Sequence, residues 1–233
     1  MEKETKQQKI STPVAIVVAG VLIMIGILLT GGKGGVVKEK TLSEQLGISK
    51  EKLTECVKGV DTEALYAKIE SSVNSAMKDV PAEQRGTPYS VIIGANGVKT
   101  EIRGAKSKED IQRLIAEVSS GTVTTPYTGE IVATEEGDHL YGNPEALIKV
   151  IEYSDFECPY CKIFHETMTT LVNESNGSIS WVFRHWPIHQ NSVAKLIASE
   201  CVTTIKCNDA FWKYADLMFG LLKTEDTSDV DQL

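Results

Sequence analysis

The sequence predicts an α/β protein preceded by one transmembrane helix. The α/β class follows because apolar residues recur at helical spacing in some segments and alternate at strand spacing in others. The transmembrane helix follows from an uncharged run near the N-terminus that is long enough to cross a bilayer. Of the 233 residues, 42% are hydrophobic and 24% are charged, which is typical of a globular chain and excludes disordered and collagen-like proteins.

The apolar run predicts an uncleaved signal anchor. Residues 14–30 are 17 uncharged positions, which rise about 25 Å as a helix. A secretory signal usually has a shorter apolar region, and no A-x-A cleavage site follows here. We therefore predict a cytoplasmic tail at residues 1–12, a transmembrane anchor at 13–30 and a flexible tether at 31–40. Lysines flank both ends of the run, so the positive-inside rule does not orient it, and the cysteines are what indicate an exported body.

Charge and cysteine content limit the possible functions. The net charge is −8, although residues 1–40 carry six lysines against three glutamates, so the rest of the chain is strongly acidic. Such a body has no basic surface for nucleic acid, and we predict no nucleic-acid partner. Five cysteines are too few for a disulfide scaffold and point to redox chemistry or a metal.

Residues 41–118 predict helices, a hairpin and a further helix. The pattern indicates the tail of a helix at 41–46, a helix capped by Ser49, a helix from Leu65 to Ala76, strands at 89–93 and 98–102, and a helix capped by Ser107. Between the two strands, Asn96-Gly97 predicts a tight type I′ turn, because both central residues of that turn need positive φ angles.

Residues 119–233 begin with a stretch that lacks periodicity. We predict a linker at 119–146, followed by strands at 149–153 and 178–183. A helix that begins at Cys158 lies between the two strands. Two amphipathic helices follow, one through Val193, Ile197 and Cys201 and one through Phe211, Ala215, Met218 and Leu222.

The sequence Cys158-Pro159-Tyr160-Cys161 carries the chemistry. A cysteine at a helix N-terminus has a lowered pKa, so Cys158 is predicted to be the exposed, attacking thiol. Cys161, one turn later on the apolar stripe, is predicted to be the resolving thiol. Pro159 suits the first helical turn, where its missing N–H costs nothing. The alternatives are a structural disulfide or half of a zinc site, and no second ligand pair has zinc-site spacing.

Several segments together resemble the DsbA-like thiol-disulfide oxidoreductases of the thioredoxin superfamily. They are V-I-E-Y-S-D-F-E-C-P-Y-C at 150–161, the segment 181–187, Phe211-Trp212, and Gly86-Thr87-Pro88 with its hairpin. The resemblance covers most of residues 42–118 and 138–233 and implies a thioredoxin-like fold with an inserted helical subdomain. In the family the C-P-x-C half comes first. Here residues 41–118 correspond to the C-terminal half and residues 147–233 to the N-terminal half, so we predict a circularly permuted chain.

The resemblance also implies roles for individual residues. Thr87 and Pro88 would form the family's cis-proline element, which with Pro159 and Tyr160 contacts the substrate segment beside the disulfide. Glu152 resembles the buried acid that exchanges protons with the inner cysteine, and the alternative is an ordinary polar strand residue. No organic cofactor and no metal are expected.

The remaining cysteines and the histidines are expected to be structural. Cys56 and Cys201 fall on helical stripes of the same subdomain, and the resemblance suggests a second disulfide between them. Cys207 is a competing partner, and three connectivities stay open. His165 is expected on a helix surface, and His139, His185 and His189 are expected to be loop residues without metal-ligand spacing.

These observations predict a membrane-anchored enzyme on the extracytoplasmic side that introduces disulfides into exported proteins. A quinone-linked membrane protein of the DsbB or vitamin K epoxide reductase type would reoxidise it. The alternatives are a disulfide reductase or isomerase, a copper metallochaperone that uses the two cysteines and a histidine, and an inactive remnant whose halves no longer assemble. The halves could also meet between two chains in a swapped dimer, since the linker permits both arrangements.

Overall fold

A single mixed sheet with helices on both faces organises residues 40–222, the part of the chain that the computed structural model describes. The helices are α1 (Leu42–Leu46), α2 (Lys50–Gly59), α3 (Thr62–Ala76), α4 (Lys108–Ser120), α5 (Pro159–Glu174), α6 (Ser192–Lys206) and α7 (Asn208–Leu221). The strands are β1 (Tyr89–Gly94), β2 (Lys99–Arg103), β3 (His139–Gly142), β4 (Ile148–Ser154) and β5 (Ile179–His185).

The predicted cytoplasmic tail, membrane anchor and nearly all of the tether lie outside the described residues, as does 223–233. Within residues 40–222, none of the helices combines the length and the apolar character that crossing a membrane requires.

The sheet has the strand order β2-β1-β4-β5-β3. Strand β4 lies parallel to β5 and antiparallel to β1, with Tyr89 opposite Tyr153 and Ser90 opposite Glu152. The strand that follows Pro88 therefore lies directly beside the strand that leads to Cys158. This pairing forms within one chain, although 71 residues separate Cys158 from Thr87.

Both faces of the sheet are buried, because successive side chains of a strand point to opposite sides. In β4, Val150 packs into a core shared with α2 and α4–α7, whereas Ile151 packs into a second core under α3. In β5, Trp181 packs into the first core and Val182 packs into the second. The buried sheet explains why most positions of β1, β4 and β5 are apolar or small, the exceptions being Lys149, Glu152, Arg184 and His185.

The helix predicted after Ser49, the helix predicted from Leu65 to Ala76 and the helix predicted after Ser107 are present as α2, α3 and α4. The side chains of Ser49 and Ser107 accept hydrogen bonds from backbone N–H groups of the first turn, as N-cap residues do. The segment 41–46, expected to be the tail of a helix, is instead a short helix that begins at Leu42. Thr41 and Glu44 close its N-terminus as a capping box.

The hairpin forms where the sequence predicts it, but its turn differs. A type I′ turn needs positive φ at Asn96, and in the described chain only Asn176 and Cys207 have positive φ among residues other than glycine. Gly97 has φ +79° and donates its N–H to the carbonyl of Gly94 at 2.9 Å. The loop is therefore longer than the two-residue I′ turn, and glycine alone supplies the left-handed conformation.

The stretch 119–146, predicted as a linker, contains the edge strand β3. Strand β3 pairs antiparallel with β5, with His139 opposite Phe183. The pattern hid this strand because it has only four residues and its exposure follows no strict alternation. The preceding part of the stretch packs along the α3 side of the sheet, where Ile131 is buried.

Candidate active site

The N-terminus of α5 positions the two cysteines of the C-P-Y-C motif. Cys158 is the N-cap, with an extended backbone, and its carbonyl accepts the first helical hydrogen bond from Lys162 N at 3.2 Å. Pro159 occupies the first turn, and Tyr160 is 38% exposed. Cys158 is only 3% exposed, so the predicted exposure of its thiol is wrong. The polypeptide that contains Thr87 covers it.

The two thiols are in different electrostatic states. A hydrogen bond from the Cys161 thiol, assisted by backbone N–H groups at the start of α5, lowers the pKa of Cys158 to about 6 although burial opposes ionisation. Burial raises the pKa of Cys161 well above its ordinary value, and the hydrogen bond to Cys158 acts in the same direction. At neutral pH the pair is therefore a Cys158 thiolate beside a protonated Cys161.

The Thr87-Pro88 peptide bond is cis and lies against Cys158. The Cys158 sulfur is 3.3 Å from the carbonyl oxygen of Thr87, which accepts a hydrogen bond from the thiol when Cys158 is protonated. Pro88 has no N–H, and its carbonyl is already bonded to Gly104 N at 2.9 Å. The backbone of Thr87 is thus the polar group that a bound segment would meet beside the sulfur.

Glu152 is fully buried in β4, on the side of the sheet that carries α5. Burial raises the pKa of Glu152 to about 8. The hydrogen bond that Trp181 Nε1 donates to Glu152 Oε2 at 2.9 Å acts in the opposite direction and only partly offsets the effect of burial. Its Oε1 atom has no hydrogen-bond partner among the described residues. The Cys158 and Cys161 sulfurs both interact electrostatically with this carboxyl. A carboxyl with this pKa can hold or release a proton near pH 8, so the arrangement is compatible with the role expected for it.

Asp155 organises the loops around the motif, and sequence reasoning did not single it out. Its Oδ2 accepts hydrogen bonds from Ile188 N at 2.7 Å and His189 N at 3.0 Å, while Oδ1 accepts from Glu157 N at 2.8 Å. The segment 188–189 is thereby held next to the loop that precedes Cys158. The sequence feature that could have indicated this role is the position of Asp155 directly after a buried strand. A carboxylate at that position can accept hydrogen bonds from the N–H groups of neighbouring loops.

The histidines differ from expectation. His165 is buried, not on the helix surface, and its Nε2 lies 2.8 Å from Asp216 Oδ1. His139 and His185 are strand residues, not loop residues, and both are buried. Only His189 lies in a loop. Sequence spacing could not place His139 beside His185, because β3 and β5 are brought together by sheet pairing.

His139 and His185 converge on Glu200 of α6. Their Nε2 atoms lie 2.9 Å and 3.0 Å from the same oxygen, Glu200 Oε1. Burial lowers the pKa of His139 and so favours its neutral form. Burial also opposes the ionisation of Glu200, but the hydrogen bonds to the two histidines outweigh it and hold the pKa of that carboxyl well below its usual range.

The other three cysteines are divided between one disulfide and one thiol. Cys56 of α2 is bonded to Cys201 of α6, across 145 residues of sequence. Cys207 is an exposed thiol at the junction of α6 and α7. Of the three connectivities that the sequence left open, the structure contains the Cys56–Cys201 bond.

Comparison with known proteins gives one family match. A family model described as thioredoxin matches residues 134–233, which include the C-P-Y-C motif, strands β3 to β5 and helices α5 to α7. The match supports a thioredoxin-superfamily assignment for this part of the chain. The sheet and its flanking helices form a mixed α/β, thioredoxin-like fold. This fold supports a thiol-disulfide oxidoreductase in general.

Curated relatives and a solved structure also match part of the chain. It is 35% identical over 83 residues to the Na(+)/H(+) antiporter NhaA 1 of Salinispora arenicola, covering 36% of this chain and 13% of the antiporter. It is 30% identical over 98 residues to the NhaA antiporter of Herminiimonas arsenicoxydans, covering 42% of this chain and 15% of that antiporter. The chain therefore spans only a small part of these relatives. The crystal structure of Wolbachia pipientis alpha-DsbA1 aligns with a TM-score of 0.34 and 20% identity, over 44% of this chain and 51% of that one.

Proposed function

We propose that this protein, a DsbA-like member of the thioredoxin superfamily, is a membrane-anchored oxidant that introduces disulfides into exported proteins. The observation that supports the oxidising direction is the position of Cys158 at the N-terminus of α5, where the Cys161 thiol and backbone N–H groups stabilise its thiolate and lower its pKa to about 6. A stabilised thiolate favours the reduced form of the pair, and an enzyme whose reduced form is stabilised passes its disulfide on readily.

The exchange proceeds in two thiolate attacks. A substrate thiolate attacks the Cys158 sulfur of the Cys158–Cys161 disulfide, which forms a mixed disulfide and releases Cys161 as the leaving thiolate. The second thiolate of the substrate then attacks the substrate sulfur of the mixed disulfide and releases the Cys158 thiolate. The substrate dithiol loses two electrons, which the enzyme gains, and two protons. Cys161 takes up one proton, and the other goes to solvent because Cys158 leaves as a thiolate. Cys161 is the resolving thiol of the reverse reaction. There it attacks the Cys158 sulfur of the mixed disulfide and frees the reduced substrate.

The surroundings of the pair suit these steps. Glu152 can take up or supply the proton that Cys161 exchanges, since its pKa of about 8 lies close to the working range of the reaction. The cis Thr87-Pro88 segment offers the Thr87 carbonyl to an extended substrate backbone, and Tyr160 and Ile188 are exposed apolar side chains of the motif and the adjacent loop. These residues are the proposed substrate contacts.

The reduction potential of the Cys158–Cys161 pair is the experiment that tests the direction. We expect equilibration with glutathione to give a value clearly less negative than the about −270 mV of thioredoxin, toward the about −120 mV of strong oxidants. A value at or below that of thioredoxin would instead support a reductase. The matched control is Cys207→Ser, which removes the thiol outside the motif and should not change the potential.

Trapping of substrates tests the exchange chemistry itself. Cys161→Ala leaves Cys158 as the attacking thiol and removes the group that resolves the mixed disulfide. We expect mixed disulfides with exported proteins to accumulate in cells and to disappear on reduction. Cys158→Ala should trap none. Equal trapping by the two variants would contradict the assigned roles.

The location and the reoxidising partner are part of the proposal and depend on the sequence. The apolar run at 13–30 supports a single anchor, and disulfide formation requires the oxidising side of the membrane. Electrons would pass to a quinone-linked partner of the DsbB or vitamin K epoxide reductase type. Protease protection in intact spheroplasts tests the orientation, because an extracytoplasmic body should be digested without lysis.

The order of the two halves supports the proposed circular permutation. The cis-proline strand β1 precedes the strand that leads to Cys158 in the chain, whereas in the family it follows. The copper-chaperone alternative has less support. Among the described residues, the cluster whose geometry could hold a metal is His139, His185 and Glu200, and it includes neither cysteine of the motif.

A further inference from the structure

Three side chains from three different elements converge outside the redox pair. His139 begins β3, His185 ends β5, and Glu200 lies in α6; we refer to them as the His-Glu cluster. The imidazole Nε2 atoms lie 2.9 Å and 3.0 Å from Glu200 Oε1, and all three candidate donor atoms lie within 4.8 Å of one another. Two imidazole nitrogens and one carboxylate oxygen are therefore close enough together to bind one ion.

Packing holds the two imidazole rings in this orientation. His139 and His185 are 1% and 8% exposed. The ring of Phe211 stacks on His139 at a centroid distance of 3.5 Å, while Phe156 and Phe183 contact His185 edge-on at 5.6 Å and 5.1 Å. An apolar shell that fixes ligand orientation and limits solvent is a regular feature of metal sites in proteins.

A small cavity of about 70 Å³ lies beside the cluster and reaches to α3. Its wall also contains Glu135 and Asp138, but both form ion pairs with Arg184. The distance from Arg184 Nη1 to Glu135 Oε1 is 3.0 Å, and that from Arg184 Nε to Asp138 Oδ1 is 2.7 Å. The cluster therefore has its own carboxylate, while the neighbouring acids are neutralised by arginine. The cavity is large enough for a water molecule, which can complete a coordination shell.

We propose that the His-Glu cluster binds one divalent first-row transition-metal ion, with Zn²⁺ as the best match to its ligands. Two imidazole nitrogens and one carboxylate oxygen form a ligand set that zinc uses with water in the fourth position. Ligands about 2.0–2.2 Å from a tetrahedral zinc stand roughly 3.3–3.5 Å apart. The separations of 2.9 Å and 3.0 Å from Glu200 Oε1 need to widen by a few tenths of an ångström, and all three donor atoms, including the two nitrogens, already lie within 4.8 Å of one another.

Binding replaces the two hydrogen bonds of the metal-free cluster by metal–ligand bonds. In the metal-free form the His139 imidazole donates its Nε2 proton to Glu200, while His185 Nε2 lies 3.0 Å from Glu200 Oε1 and 3.1 Å from Ser199 Oγ. On binding, the Nε2 proton of each ring moves to Nδ1, which leaves Nε2 free to coordinate the ion. The Nδ1 atom of His139 has no hydrogen-bond partner among the described residues, so it is free to take up the proton that leaves Nε2. No electron transfer is involved.

The bound ion would join the sheet to the helical subdomain. It links β3, β5 and α6, and Cys201, the residue after Glu200, is disulfide-bonded to Cys56 of α2. The ion and the disulfide would then hold α6 from adjacent positions. This role is independent of the Cys158–Cys161 exchange, so the failure of either proposal leaves the other intact.

Zinc titration of the full chain in detergent tests the site. The protein should be in its oxidised form and carry Cys207→Ser, so that the motif cysteines and Cys207 offer no thiolate to the metal. We expect calorimetry to show one Zn²⁺ per chain and thermal unfolding to shift upward with zinc concentration. Because loss of an outer-shell partner alone costs about 10–100-fold in metal affinity, His185→Gln and Glu200→Gln should each lower the affinity by at least about 100-fold.

The choice of variants keeps the titration decisive. Glu200→Gln retains an oxygen that accepts hydrogen bonds from the imidazoles, so it tests the site even if His185→Gln does not fold. His165→Gln is the matched control, since His165 is buried and paired with Asp216 but lies outside the cluster, and it should bind zinc as the parent does. Absence of stoichiometric binding, or binding that Glu200→Gln leaves unchanged, would overturn the proposal.

Discussion

Cys158 and Cys161 lie one helical turn apart but have opposite protonation preferences. Cys158 sits at the N-terminus of α5, where N–H groups and the Cys161 thiol stabilise its thiolate. Cys161 points into the core and receives no comparable stabilisation, so its protonated form is favoured. The chemistry of the site is therefore set by where each sulfur lies along one turn of helix.

This difference predicts the pH dependence of alkylation. In the reduced Cys207→Ser protein, labelling of Cys158 by iodoacetamide should rise with a midpoint near pH 6, because only the thiolate reacts. Cys161 should stay unlabelled in the native protein up to pH 8, as mass spectrometry of tryptic peptides can establish. Cys161→Ala removes the hydrogen bond that contributes most to the lowered pKa and should move the midpoint upward. A midpoint that Cys161→Ala leaves unchanged would contradict this assignment.

The buried Glu152 predicts a pH-dependent stability. The unfolded state ionises this carboxyl near pH 4.5 and the folded state near pH 8, so between these values the folded protein holds a proton that the unfolded chain has released. Stability therefore falls as pH rises through this window. Glu152→Gln abolishes the cost of ionisation and should stabilise the oxidised protein by on the order of 3–5 kcal/mol at pH 8 and above.

Urea unfolding at pH 4, 6 and 8 checks this prediction. The gain of Glu152→Gln over the parent should be absent at pH 4 and largest at pH 8. Glu145→Gln changes an exposed glutamate in the same way and should give no pH-dependent difference. An equal gain at all three pH values would mean that ionisation of Glu152 is not its cause.

At the scale of elements, the junction of α6 and α7 contains an unfavourable backbone conformation. Cys207 lies between the two helices with φ 138° and ψ −178°, a region that glycine occupies and other residues avoid. The neighbouring contacts hold it there, because Asn208 Nδ2 and Trp212 Nε1 both donate hydrogen bonds to the Leu140 carbonyl of β3. The attachment of α7 to the edge strand thus depends on this turn.

Replacement of Cys207 by glycine should relieve the strain. Strain of this kind costs about 1–3 kcal/mol, and the greater freedom of glycine in the unfolded chain offsets roughly 1 kcal/mol of the gain. We therefore expect Cys207→Gly to raise the free energy of unfolding by about 1 kcal/mol. Cys207→Ala also removes the thiol but keeps the Cβ atom, so it should bring no gain. Equal effects of the two variants in urea unfolding would show that the thiol, not the backbone, matters.

At the scale of the whole molecule, the Cys56–Cys201 bond connects the two halves of the chain. It links α2, which precedes the hairpin, to α6, which follows the redox motif. A bond that closes a loop of this length restricts the unfolded chain strongly. In the proposed permuted chain, this covalent link holds together segments that chain connectivity alone leaves far apart.

Removal of this disulfide should therefore be costly. We expect the double variant Cys56→Ala, Cys201→Ala to lose about 5 kcal/mol of unfolding free energy, as loop closure over 145 residues implies. Urea unfolding of the oxidised proteins measures the loss. Cys207→Ser is the control for removal of a cysteine and should cost much less. A loss below about 1 kcal/mol in the double variant would show that the unfolded chain is already compact without the bond.

The sequence by itself determined the features that depend on neighbouring residues. Apolar residues at alternate positions located the hairpin and the two central strands, and apolar residues at spacings of three and four located the helices. Both patterns reflect the backbone geometry of short segments. The C-P-Y-C motif after a buried strand predicted that α5 begins at Cys158. These signals lie within about ten residues of the position they describe, which is why no tertiary information was needed.

The tertiary structure alone decided the features that join distant segments. The short edge strand β3, the burial of Cys158 under Thr87 and the pairing of Cys56 with Cys201 all depend on residues far apart in the chain. The meeting of His139, His185 and Glu200 is the clearest case, because each residue taken singly fits an ordinary strand or helix. Spacing along the chain carries no record of which strands and helices pack together, and that packing is what creates these contacts.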